Sequence, residues 1–454
     1  MTRMIGWPAL LIAVVGALHV ASGCDHAERA DRDRPRDTVC PDCNVLLISM
    51  DTLRADHVGA YGYERPTTPT IDALAARGVV FENAISQSSW TRPAHMSMFT
   101  GLYPAEHGFI ALVNRGRLAD DVPTLASTLG DHGYTTAAFT GGVNVSPAFG
   151  FDRGFDLYRT NGRLYRNSME ELGWWLEQNR DEKLFVFFHG YDPHTPYHSD
   201  PIAREAMGLT GAPPGKGFRR ACEKGKPGPR LRRYVDEYDA AIRRGDRYVE
   251  KLLARMDELG LLEHTLIVFT SDHGEEFLEH GRCFHLSSLY REVLHVPLII
   301  AGAGIDEPRR IAELVPASVG IGPTILQLVG IADHQLPGPS LAPAVRGAPL
   351  GLGPVQSETS RHGDTGRGDG HVRSLTTADA KLVHFVTKDE AVWFDLAGDP
   401  LESTPLTDAA ELARLQALLD RWLLEHPRQP VTVGAVAAEK REIDRQLKAL
   451  GYVD

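Results

Sequence analysis

The chain has no overall excess of lysine and arginine. Its balance runs the other way, to a formal net charge of -12. Nucleic-acid binding needs clustered positive charge to neutralise phosphates, so that class of function is excluded. A single anionic group held by a metal and a few cationic side chains is not. A Gly-rich phosphate loop, internal repeats and heptads are also missing, which leaves out nucleotide-cradling loops, solenoids and coiled coils.

Cysteine is scarce, with five residues in 454. Cys40 and Cys43 form CPDC beside the first strand-like run, without the thioredoxin-like βαβ pattern expected around a redox motif. A local disulfide in an oxidising compartment is expected instead, with Cys222 and Cys283 a candidate second pair; spacing alone does not fix the connectivity. The N-terminal apolar run, residues 5–20, is too short for a membrane-spanning helix and follows Arg3, as in a targeting segment. Ala21-Ser22-Gly23-Cys24 closes it and resembles the lipobox of bacterial lipoproteins, where Cys24 carries the lipid. An ordinary secretory signal is the plainer alternative. Both place the mature chain outside the cytoplasm, and a lipid on Cys24 would anchor it at the periplasmic side of the inner or outer membrane. Residues 24–43 are charged and poor in large apolar side chains, and read as a tether.

The remainder has the composition of a globular protein, 43% hydrophobic and 24% charged. Continuous apolar runs at 45–49, 135–140, 184–189 (LFVFFH), 266–270 and 296–301 suit strands buried on both faces. Helical spacing marks 70–78, 124–133 and a long segment at 231–259. Alternation of the two predicts an α/β, doubly wound, mostly parallel sheet, whose chemistry belongs at the carboxyl ends of its strands. Residues 208–233, rich in Gly, Pro, Lys and Arg, read as an inserted surface loop. After Gly330 the character changes: strand-like pieces at 381–386 and 391–394 and a helix at 408–424 predict a smaller C-terminal α+β subdomain. The expected divisions are a signal peptide at 1–23, the tether at 24–43, a catalytic domain at 44–335 and the subdomain at 336–454.

Two of the apolar runs end in chemistry. Asp51 follows VLLISM, and Asp272 and His273 follow LIVFTS. Asp51 alone would pass for a helix N-cap. Between them in sequence, Thr91 opens a Pro-bounded turn, TRPAHMSMFTG. Hard oxygen ligands and one imidazole suit a divalent cation, and a hydroxyl beside that ion is an activated nucleophile. Calcium, magnesium, manganese and zinc all tolerate such a donor set to differing degrees.

The ordered motifs NVLLISMDTLRAD (44–56), TRPAHMSMFTGLYP (91–104), YDPHTPY (191–197), FTSDHGEEFLEHG (269–281) and VPLII resemble the sulfatase family of the alkaline phosphatase superfamily. WFDLAGDPLE (393–402) is a weaker echo of that family's C-terminal subdomain. The resemblance implies an alkaline-phosphatase-like fold, hydrolysis of a sulfuric or phosphoric ester, and one divalent metal held by Asp51, Asp272, His273 and Thr91. It puts Thr91 at the nucleophile position of the family's C-x-P-x-R turn, with His95 where the family has Arg. It places His194 near the ester oxygens, as the group that stabilises or protonates the departing oxygen, and His285 at a further family histidine, in preference to His280.

One departure changes the chemistry. The family oxidises Cys or Ser at the nucleophile position to formylglycine, and the β-methyl of Thr91 closes that route. No formylglycine is expected. The family's Gly-Lys-Trp-His segment is replaced by FTGGVNVSPAFGFDRGFD (139–156). The substrate implied is an anionic ester, such as that of a glycan or lipid head group. Alternatives are a membrane-anchored phosphoryl-group transferase working through a phospho-threonine, and a non-catalytic binder of sulfated or phosphorylated glycans. Trp174 and Trp175 read as helical core, Glu275 and Glu276 as a solvated turn or support for the ligands, and Arg54 as either an active-site cation or a surface ion pair.

Overall fold

The computed structural model describes residues 37–111, 116–215, 217–223, 227–360 and 370–427. Cys24, the apolar run before it and most of the tether lie outside the described residues. Among the described residues, no helix is long and apolar enough to cross a membrane.

An eight-stranded sheet runs through the molecule. In chain order its strands are β1 (Asn44–Met50), β2 (Val79–Ile85), β3 (Thr135–Thr140), β4 (Leu157–Thr160), β5 (Leu184–Gly190), β6 (Thr265–Thr270), β9 (Leu298–Gly302) and β10 (Arg309–Pro316). A short hairpin of β7 (Glu276–Phe277) and β8 (Cys283–Phe284) follows β6. The spatial order is β10-β2-β9-β6-β1-β5-β3-β4. Neighbours run parallel except β9, which is antiparallel to both β2 and β6. The period of two along β1 explains why it is apolar throughout. Val45 and Leu47 enter one core, while Leu46, Ile48 and Met50 enter the other, on the opposite face. The fold is the mostly parallel, doubly wound α/β architecture expected.

The helices answer to their caps. Thr124 accepts from the Ser127 amide and starts Leu125–Asp131, and Asp408 does the same for Ala409–Glu425 through the Glu411 amide. The long helix is Pro229–Glu258, opened by a proline at its first position. In Met169–Gln178 only one expectation about the tryptophans holds. Trp175 is buried, but Trp174 is 60% exposed. One residue of helix turns the side chain by about 100°, so both cannot face a core that already receives Leu172 and Leu176.

A second sheet is antiparallel in simple order: β11 (Val355–Ser360), β12 (His371–Thr376), β13 (Ala380–Phe385) and β14 (Glu390–Asp395). Leu375 and Leu382, with Leu415, Leu419 and Trp422 of the last helix, pack against Tyr103 and Val319 of the main body. Strand β11 reaches the turn that precedes Thr91. The Ser88 hydroxyl donates to the Glu358 carbonyl (2.8 Å), the Glu358 amide to the Gln87 carbonyl (2.9 Å), and the Ser357 hydroxyl to the Ser86 carbonyl (2.6 Å).

The insertion expected as a surface loop is partly core. Phe218 in the helical turn Phe218–Cys222 is buried among the rings of Tyr197, Tyr234 and Phe284. Disulfides join Cys40 to Cys43 and Cys222 to Cys283. The second closes a loop with a sequence separation of 61, for which chain entropy assigns about 4 kcal/mol. Changing both Cys222 and Cys283 to serine is expected to lower unfolding stability by about that amount. The shift of the urea midpoint, compared with that of the wild type under reductant, checks it.

Candidate active site

Strand β1 lies between β5 and β6, so the carboxyl ends of the three converge. Asp51 follows β1 directly, and its amide is held by the Gly190 carbonyl of β5 (3.0 Å). The next residue, Thr52, has φ of 60°. That is a strained conformation for a β-branched side chain and one that clusters at functional sites. It is held by two bonds: its amide donates to Asp272 Oδ1 (3.3 Å), and its carbonyl accepts from the Tyr238 hydroxyl (2.6 Å). The strain aims Asp51 at the turn after β6, where Asp272 and His273 stand.

Thr91 is the first residue of the helix Thr91–Thr100 and is fully buried. Its Oγ1 donates to Asp51 Oδ2 (3.2 Å) and lies 3.4 Å from His273 Nε2. His273 Nε2 is in turn 3.4 Å from Asp272 Oδ2. The ring is oriented by its other nitrogen, which donates to the Gly274 carbonyl at 2.9 Å. Gly274 has to be glycine, because a Cβ there would collide with the Glu292 carbonyl oxygen. The residues expected at the metal and the nucleophile are therefore together, and Asp51 accepts from Thr91 rather than capping a helix.

Whether this cluster suits a cation is tested by its unmet bonds. Asp51 Oδ1 and Asp272 Oδ2 are buried and make no hydrogen bond, whereas buried polar atoms are normally satisfied. Burial pushes the Asp51 carboxyl up to about 6, against the pull of His273 and the Thr91 hydroxyl. Donor separations of 3.2–3.4 Å equal the edges of a tetrahedron with bonds of about 2.0–2.1 Å, or of an octahedron with bonds of about 2.3–2.4 Å. Asp51, Asp272 and His273 form one group able to hold a metal. The residues fit a divalent ion, and the spacing leaves its identity open.

Three histidines expected from the sequence stand around the group. His95 sits one turn behind Thr91 and touches its backbone, not its hydroxyl: Nδ1 donates to the Thr91 carbonyl (2.9 Å), and Nε2 faces the Ser49 hydroxyl (3.0 Å). Burial lowers its pKa to about 3, so it is a neutral imidazole where the family resemblance puts a permanent cation. His194 donates from Nδ1 to the Thr195 carbonyl (2.6 Å), and its ring centroid is 5.1 Å from that of His285. His285 lies 4.5 Å from the His273 ring and pairs with Glu275 Oε1 (3.0 Å). Burial holds His194 well below the ordinary range, helped by His285 and Arg163, and brings His285 to about 4. Glu275 and Glu276 are buried rather than solvated. His280 turns away, bonding Glu292 (2.6 Å) and the Glu402 carbonyl (2.8 Å).

Arg54 is a buried clasp, neither a surface pair nor an active-site cation. It bonds Asp56 through two nitrogens (2.9 and 2.7 Å), the Glu275 carbonyl (3.1 Å) and Glu279. Two residues at the site were not singled out from the sequence. Arg163 donates to the Thr195 carbonyl (2.9 Å) beside His194, and nothing in the loop after β4 marks it. His189 on β5 lies 3.5 Å from Asp51 Oδ2. Its signal was present, since it ends LFVFFH much as Asp51 ends its own run.

With this geometry in place, a model of the Sulfatase family matches residues 43–331, more than half of the chain. The chain belongs to the sulfatase family. It is a sulfatase-type ester hydrolase. It is 22% identical to the N-acetylglucosamine-6-O-sulfatase of Bacteroides thetaiotaomicron over 523 aligned positions, covering 93% of this chain and 91% of that protein. It is 26% identical to mouse arylsulfatase K, covering 71% of this chain and 66% of that protein, so it spans just under two thirds of that relative's length. The phosphonate monoester hydrolase of Agrobacterium radiobacter superposes with a TM-score of 0.68 at 21% identity, covering 84% of this chain and 95% of that one. That likeness establishes a shared fold.

Proposed function

We propose that this sulfatase-family protein is a metal-dependent hydrolase of anionic esters in which Thr91 is the nucleophile, with phosphoric esters its better substrates. The observation that carries the reading is the Thr91 hydroxyl, 3.2 Å from Asp51 Oδ2 and 3.4 Å from His273 Nε2, inside a buried carboxylate–imidazole group. A divalent ion held by Asp51, Asp272 and His273 would lower the pKa of that hydroxyl and neutralise charge on the ester oxygens. Thr91 Oγ1 loses its proton, forms a bond to phosphorus (or sulfur) as the bond to the leaving oxygen breaks, and becomes a covalent ester. Water then attacks that ester, releasing phosphate (or sulfate) and restoring the hydroxyl.

The protein side chains divide the remaining work. A neutral His194 is a proton acceptor, so its role is better read as taking a proton from the resolving water than as giving one to the first leaving group. Arg163 brings fixed positive charge to the same side, where the departing oxygen carries its negative charge. The preference for phosphorus rests on the second half-reaction. A formylglycine hydrate expels sulfate through its second hydroxyl, and threonine has none, so the Thr91 ester must be broken by attack at the central atom. The names of the relatives favour a sulfated sugar or aryl sulfate instead, and the assay keeps that reading in play. Purified protein is incubated with aryl sulfate, aryl phosphate monoester and aryl phosphodiester. Rapid quenching and mass spectrometry should find one phosphoryl group, on Thr91. Turnover of aryl sulfate alone, undiminished by Thr91→Ala, would sink the mechanism.

We further propose that the chain is exported and anchored through lipid on Cys24. The sequence ASGC at the end of an apolar run supports this, as do two disulfides that suit an oxidising compartment. Cys24→Ala is expected to move the protein from the membrane fraction to the soluble fraction of the cell envelope, measured by immunoblotting after fractionation.

A further inference from the structure

The inserted segment carries charge opposite to that of the molecule. Arg219, Arg220, Arg230, Arg232 and Arg233 are all exposed. Glu223 is the only acidic residue in 208–235, within a chain of formal net charge -12. Among the described residues, none of the five arginines forms an ion pair. Arg233 donates to the Ala212 carbonyl (3.0 Å), and Arg219 lies over the Phe284 ring, 5.5 Å from its centroid. Carboxylates do stand one turn along the helix from Arg232 and Arg233, the spacing at which such pairs meet. Both are engaged elsewhere: Asp236 with Arg65 (2.9 Å), and Glu237 with Arg204. Arg230, Arg232 and Arg233 also fall in the first five residues of the helix Pro229–Glu258, whose first turn has no acidic residue. The helix dipole opposes cations there, and adds its own positive end to their field.

Packing fixes this cluster beside the active site. The buried Phe218 ring is 5.4 Å from that of Tyr197 and 4.8 Å from that of Phe284. Tyr197 follows His194 by three residues, and Phe284 directly precedes His285. The disulfide from Cys222 to Cys283 ties the segment to the same hairpin, while Leu231 and Tyr234 turn inward and leave the arginines outward. We propose that these arginines hold anionic groups flanking the ester that is cleaved, so that the natural substrate is a polyanionic glycan chain and not a small ester. This deepens the hydrolase reading above and rests on it. Five cations spread over two helical starts exceed what one ester group can use, and each further sulfate, phosphate or carboxylate along a chain would find its own partner. An anionic membrane is the less suited occupant. The chain enters β1 at Asn44, the opposite end of that strand from Asp51, so a tether through Cys24 joins the molecule at the end of the sheet away from the arginines.

The test reads binding apart from turnover. Fluorescent heparin, a sulfated glycan, is titrated against the full chain, and binding should weaken as salt rises. Changing Arg219, Arg220, Arg230 and Arg232 together to glutamine should raise Kd by about tenfold or more, the sum of several exposed ion pairs. A control variant with Arg77, Arg180, Arg414 and Arg421 changed to glutamine alters net charge equally and should keep the wild-type Kd. Heparin should also slow aryl phosphate turnover by the wild type far more than by the first variant, whose kcat without heparin should match the wild type. Equal heparin affinity in wild type and first variant would overturn the proposal. So would heparin bound at the patch without any effect on turnover, or binding of phosphatidylglycerol vesicles in place of heparin. Loss of all aryl ester turnover with heparin binding intact would instead bring down the hydrolase reading and, with it, the role of the patch in substrate choice.

Discussion

Replacing Thr91 with alanine should lower kcat by a factor of about 10⁴ or more, because loss of a covalent nucleophile removes the pathway and not merely one contact. Serine at the same position keeps the oxygen and is expected to stay within about tenfold of wild type. Metal content should separate this effect from collapse of the site. Asp51, Asp272 and His273 remain, so Thr91→Ala should still bind metal, with affinity weakened by about tenfold at most. The helix that Thr91 opens is held by ten buried residues and by the bonds from β11 to the preceding turn, so the variant should fold. Stopped assays on aryl phosphate, metal analysis and thermal melting together decide the matter. Alanine with wild-type kcat would assign the chemistry to another group.

Asp272→Asn should have the second large effect, through the ion and not through the nucleophile. The amide keeps the size of the carboxylate and an oxygen for the Thr52 and His273 amides that Oδ1 now accepts. It removes the charge and turns Oδ2, the oxygen without a hydrogen bond, into a donor. Metal affinity should fall by a factor of at least about 10², with turnover following it down. Stability supplies an independent measure. An ion bound only by the folded chain and present at 100 times its Kd contributes about 2.7 kcal/mol. The wild type should therefore melt at a higher temperature with metal than with a chelator, and Asp272→Asn should melt alike in both. Full metal occupancy in the variant would remove Asp272 from the ligand set.

The layers of legibility follow from the range of the interactions involved. Strands β1, β5 and β6 could be read because each is a short apolar run buried on both faces, a local property. Strands β2, β4, β10 and β12 could not, since their residues are mixed and their burial is granted by distant partners. Asp51, Asp272 and His273 were visible because a charge ending such a run is locally anomalous. Arg163 was invisible: only the fold carries it to Thr195. His189 ended its run in plain view and was read as a strand terminus, because what makes it unusual is the absence of a hydrogen-bond partner, which no sequence records.

By itself, the order of apolar runs and their acidic or imidazole ends determined the sheet, the family resemblance and the threonine in place of an oxidisable residue. Those are one-dimensional features, set by covalent identity and short-range periodicity. Which nitrogen of each histidine faces the site, that Asp51 and Asp272 keep oxygens bare, and that His95 turns from the nucleophile's hydroxyl toward His189 were decided by tertiary structure alone. Such facts depend on angles and distances of a few ångströms between groups as far apart in the chain as residues 51 and 272, and only packing fixes them.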